Sequence, residues 1–325
     1  MDRISGMKMG RMKNTDKSLT ILFCLIVLFS IVSQCLSSNF LTISNLMGIL
    51  RQSSHMGILA IGLTFVLITG GMDLSTGYGV TLGAIVIGLT FTQTGNAGLA
   101  IVSGIAATML LGLCNGALIT KVKVVPFVTT LATMSLSQGI LNLISAGKKL
   151  QLKHAVFSFF GKSSIGGFPI SVIVMFLVFG AGSLILNHTR FGSSVYACGS
   201  NEKNAGLSGI PVVKYKILVY VFSGLCMGIS ALIMGTRIIL VTQESGGNSL
   251  MMDAIAASVI GGTDINGGKG SMCGTFLGVI FIGVINNMLV FLSIPSAAQE
   301  LFKGLLIIAA LFLNLLAKKE WKRSL

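Results

Sequence analysis

The chain has 325 residues, of which 53% are hydrophobic and only 10% are charged. Soluble domains carry roughly 25% charged residues, so this composition excludes a soluble globular fold and predicts an integral membrane protein. The formal net charge of +14 does not indicate nucleic-acid binding, because the basic residues lie between apolar runs rather than on one soluble face.

Ten apolar runs follow one another, separated by polar or glycine-rich stretches. A helix needs about 20 apolar residues to cross a bilayer, so the sequence predicts an all-α, polytopic transmembrane helix bundle of about ten segments over residues 19–317. Two runs, 78–91 and 250–262, are short and bounded by glycines, which favours short or broken helices there. The other runs are 19–36, 46–69, 98–119, 126–145, 168–186, 217–235, 270–293 and 301–317.

The basic residues concentrate on one side of the predicted bundle. The N-terminal segment 1–18 and the tail 318–325 are both rich in Lys and Arg. Cytoplasmic loops carry such an excess, so we expect a multi-pass protein with both termini in the cytoplasm. The six cysteines are scattered singly, which indicates small apolar packing residues and no cofactor or metal held by this chain.

A glycine-rich pattern occurs twice. Residues 70–79 read GGMDLSTGYG and residues 261–270 read GGTDINGGKG, and both fit G-G-x-D-apolar-x-x-G-x-G. A further glycine follows each at the same distance, Gly83 and Gly274, so the constant offset predicts an internal repeat. Repeats with glycine-interrupted helices are typical of transporters, where irregular backbone at membrane depth is buried in protein or lines a cavity.

Each copy of the pattern holds one carboxylate in a turn between apolar helices. Such a carboxylate can cap the following helix, and this structural role is the one that we expect. Contact with a passing solute and a part in proton transfer stay open. The residues assigned to this translocation pathway or structural turn are Gly70, Gly71, Asp73, Ser75, Gly261, Gly262, Asp264 and Asn266.

Glycines four residues apart recur in several runs. Small residues at this spacing let two helices approach closely. We expect packing within one chain, with an interface between two copies as the alternative. The sets are Gly79 with Gly83, Gly112 with Gly116, Gly224 with Gly228, and Gly270 with Gly274 and Gly278.

The polar connection 187–216 is the longest on the cytoplasmic side after the N-terminal segment. Its middle predicts a short helix, with Ser200 or Asn201 as the N-cap and Gly209 at the end. Such a helix can dock into a groove on a soluble partner, but the connection also suits a loop that lies on lipid headgroups. The candidate coupling residues are Asn201, Glu202, Ala205, Leu207, Gly209 and Ile210, of which Ala205, Leu207 and Ile210 would face the partner.

The chain shows no energy source of its own. A phosphate-binding loop reads G-x-x-x-x-G-K-[ST], and the nearest approaches, at 161–163 and 268–270, lack the first glycine or the hydroxyl. Charge pairs across the middle of helices, expected of many ion-coupled carriers, are also not evident. The three histidines are isolated, so we expect no enzyme and place ATP hydrolysis on a partner chain.

From about residue 46 to 317, the chain resembles the permeases of ATP-binding-cassette (ABC) importers for ribose, xylose, galactose, arabinose and related solutes, including an autoinducer. Four stretches carry the resemblance. They are Ile68-Thr69-Gly70-Gly71-Met72-Asp73-Leu74-Ser75 with Gly77, Pro126-Phe127-Val128-Thr129-Thr130-Leu131, residues 199–210, and Asp253-Ala254-Ile255-Ala256-Ala257 running into Gly261-Gly262.

The resemblance implies a permease in the bacterial cytoplasmic (inner) membrane that acts with a cytoplasmic ABC ATPase, an extracytoplasmic solute-binding protein, and a second permease copy or paralogue. ATP-driven movement of the helix in 187–216 would reorient the bundle and import a sugar or sugar-like solute. The alternative is an ion-coupled secondary carrier or channel that uses Asp73 and Asp264. Guesses at pathway-lining residues, for which packing is the more ordinary role, are Tyr78, Phe127, Thr129 and Asn287.

Overall fold

The computed structural model describes residues 2–295, 298–305 and 308, with side chains from Leu19 onward. The predicted basic tail, 318–325, and most of the tenth run lie outside the described residues. Residues 298–305 are helical. The other elements are α1 (Asp2–Leu36), α2 (Ile43–Ile68), α3 (Thr76–Thr94), α4 (Ala97–Thr120), α5 (Pro126–Ser145), β1 (Leu150–Gln151), α6 (Ala155–Lys162), β2 (Ser164–Ile165), β3 (Phe168–Pro169), α7 (Ile170–His188), α8 (Arg190–Ser200), α9 (Glu202–Leu207), α10 (Val212–Ile238), β4 (Leu240–Val241), α11 (Gly247–Ile260) and α12 (Met272–Phe291).

Within the described part of the chain, six helices are long and apolar enough to cross a membrane: α1 from Leu19, α4, α5, α7, α10 and α12. α11 is apolar but shorter. The all-α, polytopic prediction is confirmed, whereas the count of ten segments is not. The prediction of a broken helix at 78–91 is wrong, because α3 is continuous. Gly77 instead allows α3 to lie close to the start of α11, because a β-carbon on Gly77 would collide with the Gly247 carbonyl.

α2 and α10 form the centre of the bundle. Nearly every α2 residue from Ser53 to Ile68 is buried, and most of α10 from Val219 to Thr236 is buried as well. α10 packs against α4, α2 and α3, and α4 also packs against α3. These helices therefore hold most of the hydrophobic core, with the other spans placed around them.

Glycines bring α4 and α10 together along a line that we call the α4–α10 seam. A β-carbon on Gly112 would collide with the Tyr220 carbonyl, and one on Gly224 would collide with the Thr108 carbonyl. Gly116 and Gly228 lie against the backbone of the facing helix in the same way. At these four positions the glycine spacing serves packing within one chain, as expected.

The two ends of the bundle carry different elements. The α9 end holds α8, α9 and two turns, the first glycine turn (69–75, between α2 and α3) and the second glycine turn (261–271, between α11 and α12). The hairpin end holds β1 paired antiparallel with β4, and β2 paired antiparallel with β3. α4 runs antiparallel to α10, because Gly116 meets Ile217 while Gly224 meets Thr108, so α4 ends at the α9 end.

Candidate functional site

The connection between α7 and α10 folds into two helices, of which α9 has well-formed ends. The side chain of Asn201 accepts the Asn204 N–H at 2.9 Å and so caps the start of α9. At its other end, the Ile210 N–H donates to the Ala205 carbonyl at 3.1 Å, while Gly209 has a φ of 79°. This is a Schellman-type end, which favours glycine. The predicted helix, its cap at Asn201 and its end at Gly209 are confirmed.

α9 presents one large apolar side chain to solvent. Leu207 is 80% exposed. Ala205 is buried, so the prediction that it would face a partner is wrong. Ile210 is half-buried and remains reachable, because it lines an open apolar groove beside α9. The groove has a volume of about 670 Å³ and is lined by Gly206, Ile210, Pro211, Val213, Ile217 and Leu218, among others.

Two polar or reactive groups near α9 have ordinary structural roles. Glu202, which is exposed, forms an ion pair with Lys216 of α10, and exposed pairs of this kind contribute at most about 1 kcal/mol. Burial raises the pKa of the Cys198 thiol in α8, as expected of a packing residue. Every cysteine in the described part of the chain is free, and no cluster of potential metal ligands occurs there.

The C-terminal end of α8 contacts both glycine turns. Gly199 lies so close to the Ile68 carbonyl that a β-carbon would collide with it. The same carbonyl accepts the N–H of Gly268 at 2.8 Å. The Tyr196 hydroxyl donates to the Gly270 carbonyl at 2.7 Å. α8 therefore joins the two turns to the segment that carries α9.

Asp73 closes the first glycine turn and is fully buried. Its Oδ1 accepts the Ser75 N–H at 3.1 Å and the Ser75 hydroxyl at 2.6 Å. The Ser223 hydroxyl donates to Oδ2 at 3.5 Å. An aspartate that bonds to the backbone two residues on forms an Asx turn. Asp73 thus shapes the turn before α3, and Ser75, rather than Asp73, occupies the N-cap position.

A chain of hydrogen bonds extends from this turn across the bundle. The Asn115 side-chain N–H donates to Ser75 Oγ at 2.9 Å, and the Thr133 hydroxyl donates to Asn115 Oδ1 at 2.7 Å. The Tyr220 hydroxyl donates to the Met72 carbonyl at 3.2 Å. The network links α3, α4, α5 and α10, and such a buried network stabilises one arrangement when its members are paired.

The second glycine turn repeats this arrangement only in part. Asp264 Oδ1 accepts the Asn266 N–H at 3.0 Å, which matches the bond between Asp73 and Ser75. α12 begins only at Met272, so the segment that follows the aspartate is longer than in the first turn. The internal repeat is therefore not confirmed beyond the shared aspartate turn.

The four guesses at pathway-lining residues occupy varied positions. Asn287 exchanges two hydrogen bonds with Asn45 of α2, at 3.0 and 3.1 Å. Thr129 is buried and donates to the carbonyl of Val125, the N-cap of α5. Tyr78 packs partly buried against the core, and Phe127 is half-exposed. The structure does not bring these four side chains together.

One ion pair, which joins two apolar segments, was not predicted from the sequence. Lys303 Nζ lies 3.0 Å from Asp253 Oδ2, and the Asn286 side-chain N–H donates to the same oxygen at 3.0 Å. The pair joins α11 to residues 298–305, neither of which is among the six candidate spans of the described chain, and the sequence did not predict it. The partners stand 50 residues apart, in different runs, so only the lone Asp253 inside an apolar run could have indicated the pair.

Comparisons with known proteins agree on one family. The model of the family described as "branched-chain amino acid transport system / permease component" matches residues 45–311. The ribose import permease protein RbsC of Bacillus subtilis (strain 168) is 37% identical over 295 residues, which cover 90% of each chain. The chain belongs to the family of sugar ABC importer permeases.

This ABC permease has further relatives of the same kind. The ribose import permease protein RbsC of Escherichia coli (strain K12) is 37% identical over 298 residues, or 90% of this chain and 92% of that one. The L-arabinose transport system permease protein AraH of the same strain is 31% identical over 280 residues, or 85% and 84%. No solved structure matches the permease. Permease subunits of this family are bacterial membrane proteins and are not themselves enzymes.

Proposed function

We propose that the permease imports a sugar or sugar-like solute and that a cytoplasmic ABC ATPase drives it by docking on α9. The observation that carries this proposal is the position of α9, which is exposed at one end of the bundle and joined through α8 to both glycine turns. An exposed leucine beside an open apolar groove is better suited to contact with a soluble protein partner than to contact with water. The coupling residues are Asn201, Glu202, Leu207, Gly209 and Ile210, with Ala205 anchoring α9 to the bundle.

The contacts of α8 indicate how a displacement of α9 is transmitted to the membrane helices. Gly199 meets the end of α2, and Gly268 lies between α11 and α12. A displacement of α9 by the ATPase therefore acts on the ends of α2, α3, α11 and α12 together. In this mechanism the glycine turns transmit movement between inward-open and outward-open states, and Asp73 and Asp264 hold the shape of those turns.

The same proposal assigns the two ends of the bundle to the two sides of the membrane. Lys121, Lys123, Arg190, Lys203 and Lys214 all lie at the α9 end, and an excess of basic residues supports a cytoplasmic location. The hairpin end then meets the extracytoplasmic solute-binding protein, and a second permease copy or paralogue completes the assembly. The ribose and arabinose permeases among the relatives support a sugar as the solute.

The test is co-purification of the permease with its ATPase, followed by ATP hydrolysis in proteoliposomes with the liganded binding protein. We expect Leu207→Asp to abolish co-purification. Ile165→Asp is the matched control, because Ile165 is 60% exposed but lies in β2 at the hairpin end; this variant should retain the ATPase. Solute uptake by the unmodified permease without any ATPase would contradict the proposal and favour the ion-coupled carrier.

A further inference from the structure

α5 exposes polar side chains in the middle of a candidate membrane span. Ser135, Gln138 and Asn142 are all exposed. Successive helix residues are about 100° apart, so these three lie in one stripe, which we call the α5 stripe. The Ser135 hydroxyl bonds only to the Leu131 carbonyl of its own helix. Among the described residues, neither the Gln138 amide nor the Asn142 amide has a hydrogen-bond partner.

Neighbouring candidate spans expose a different kind of surface. The exposed residues in the middle of α4 are apolar or cysteine, and those of α7 are apolar or glycine. Hydrocarbon chains favour such a surface, because they offer no hydrogen bonds to polar groups. The exposed positions are Val102, Ala106, Leu110, Leu113, Cys114 and Leu118 in α4, and Phe176, Leu177, Gly180, Ala181 and Leu184 in α7.

α5 itself has a second exposed side that fits lipid. Leu136, Ile140 and Leu143 are 62%, 47% and 81% exposed, and they lie roughly 100° or more around the helix from Gln138 and Asn142. The remaining side, which includes Thr133 and Ser137, is buried against α3 and α4. One helix therefore presents a lipid-compatible side and a second side on which three polar side chains accompany the exposed Leu131, and the polar groups of this second side require hydrogen-bonding partners such as water or a polar ligand.

We propose that the α5 stripe lines the solute pathway and hydrogen-bonds to the hydroxyl groups of a neutral, polyhydroxylated solute. Amide groups both donate and accept hydrogen bonds, as does a serine hydroxyl, and sugar hydroxyls have the same dual character. None of the three side chains is charged, so a charged solute would find no counter-charge in the stripe. The inference rests on the proposed function and names the side chains that meet the solute.

The packed side of α5 connects the stripe to the coupling end. Thr133 bonds to Asn115, and the Thr130 hydroxyl donates to the Met72 carbonyl in the first glycine turn at 3.3 Å. A displacement of that turn therefore acts on α5 directly. The stripe can thus change its access to the two sides of the membrane when α9 moves.

The first experiment measures whether the α5 stripe is accessible to water. In a variant with all six cysteines replaced that is still inserted into the membrane in normal amounts, Gln138→Cys and Leu136→Cys are compared in membrane vesicles with a charged methanethiosulfonate reagent. Only a thiolate reacts, and a thiol forms one in water far more readily than in lipid. We expect Gln138→Cys to react about tenfold faster or more than Leu136→Cys. D-ribose or L-arabinose should slow the labelling of Gln138→Cys in the assembled importer.

Each alternative result overturns the inference. Equal labelling rates at both positions would show that the stripe faces lipid or a protein contact. Fast labelling that neither sugar slows would show a wet surface that the solute does not touch. The labelling rates do not depend on transport. Failure of the unmodified importer to take up sugar would therefore contradict the proposed function, while the labelling rates would still show whether water reaches the α5 stripe.

The second experiment measures solute contact through transport. Gln138→Leu removes the amide but keeps a side chain that suits a membrane, and we expect the KM for sugar uptake to rise about fivefold to tenfold from the loss of one hydrogen bond. Leu136→Gln is the reverse control and should leave that KM unchanged. An unchanged KM in Gln138→Leu, with normal amounts of the assembled complex, would contradict the inference.

Discussion

The Ile68 carbonyl at the end of α2 accepts the N–H of Gly268 in the second glycine turn at 2.8 Å, although the two residues are 200 positions apart in the chain. Gly199 lies against the same carbonyl. The end of α2, the second glycine turn and the end of α8 therefore meet at one backbone oxygen. No side chain larger than hydrogen fits between them, so this contact ties the coupling segment to the bundle.

Replacement of Gly199 by alanine should separate these elements. The added β-carbon would collide with the Ile68 carbonyl, and overpacking of this kind costs about 1–3 kcal/mol. We expect a lower thermal unfolding temperature in detergent and reduced sugar-stimulated ATP hydrolysis. Gly180→Ala is the matched control, because a β-carbon at Gly180 has no neighbour within 4 Å. Equal behaviour of the two variants would show that the contact at Ile68 is unimportant.

Loss of the cap at Asn201 should weaken coupling without unfolding the bundle. Asn201→Ala removes the acceptor for the Asn204 N–H and should destabilise α9 by about 1 kcal/mol. Asn201→Ser keeps an acceptor and should restore the helix. The measurements are hydrogen exchange over 202–207 and the number of sugar molecules imported per ATP. If Asn201→Ala and Asn201→Ser import equally well, the cap has no part in coupling.

The buried network next to Asp73 should respond to a change that preserves shape. Thr133→Val keeps the volume of the side chain but leaves Asn115 Oδ1 without its donor. An unpaired buried acceptor costs about 1–3 kcal/mol, so the unfolding temperature should fall. Ser135→Ala changes an exposed hydroxyl on the same helix and should leave the unfolding temperature unchanged. An equal fall in both variants would contradict a specific role for the network.

The ion pair between Asp253 and Lys303 should show non-additive behaviour. Either Asp253→Asn or Lys303→Met alone leaves a partly buried charge without its partner, at a cost of about 3 kcal/mol. The double variant removes both charges and should recover part of that loss. A double-mutant cycle on unfolding in detergent measures this coupling. Additive losses would show that the two charges, 3.0 Å apart, contribute independently.

The local features could be predicted from the sequence because a few adjacent residues determine them. Asn201 and Gly209 fix the ends of α9 through bonds to residues within five positions. The turn at Asp73 likewise depends on Ser75, two residues on. The sequence resemblance identified the family in the same way, because short stretches of adjacent residues carry it. The count of membrane segments stayed unconfirmed.

The features that were missed depend on how distant elements lie against one another. The pairing of Asp253 with Lys303 requires the relative placement of α11 and residues 298–305. The α5 stripe was present in the helical spacing of Ser135, Gln138 and Asn142, but the sequence could not show that the packed side of α5 is the one with Thr133. Ala205 was placed on the wrong side of α9 for the same reason.

The α4–α10 seam limits which parts of the permease can move during a transport cycle. Backbone lies against backbone at Gly112 and Gly224, where a β-carbon would collide with the facing carbonyl, so sliding along the seam would place residues that carry a β-carbon at these close contacts. We therefore expect the two helices to travel as one rigid body. The relative displacement that opens one side and closes the other has to occur along boundaries with larger, softer side chains, such as those around α1 and α7.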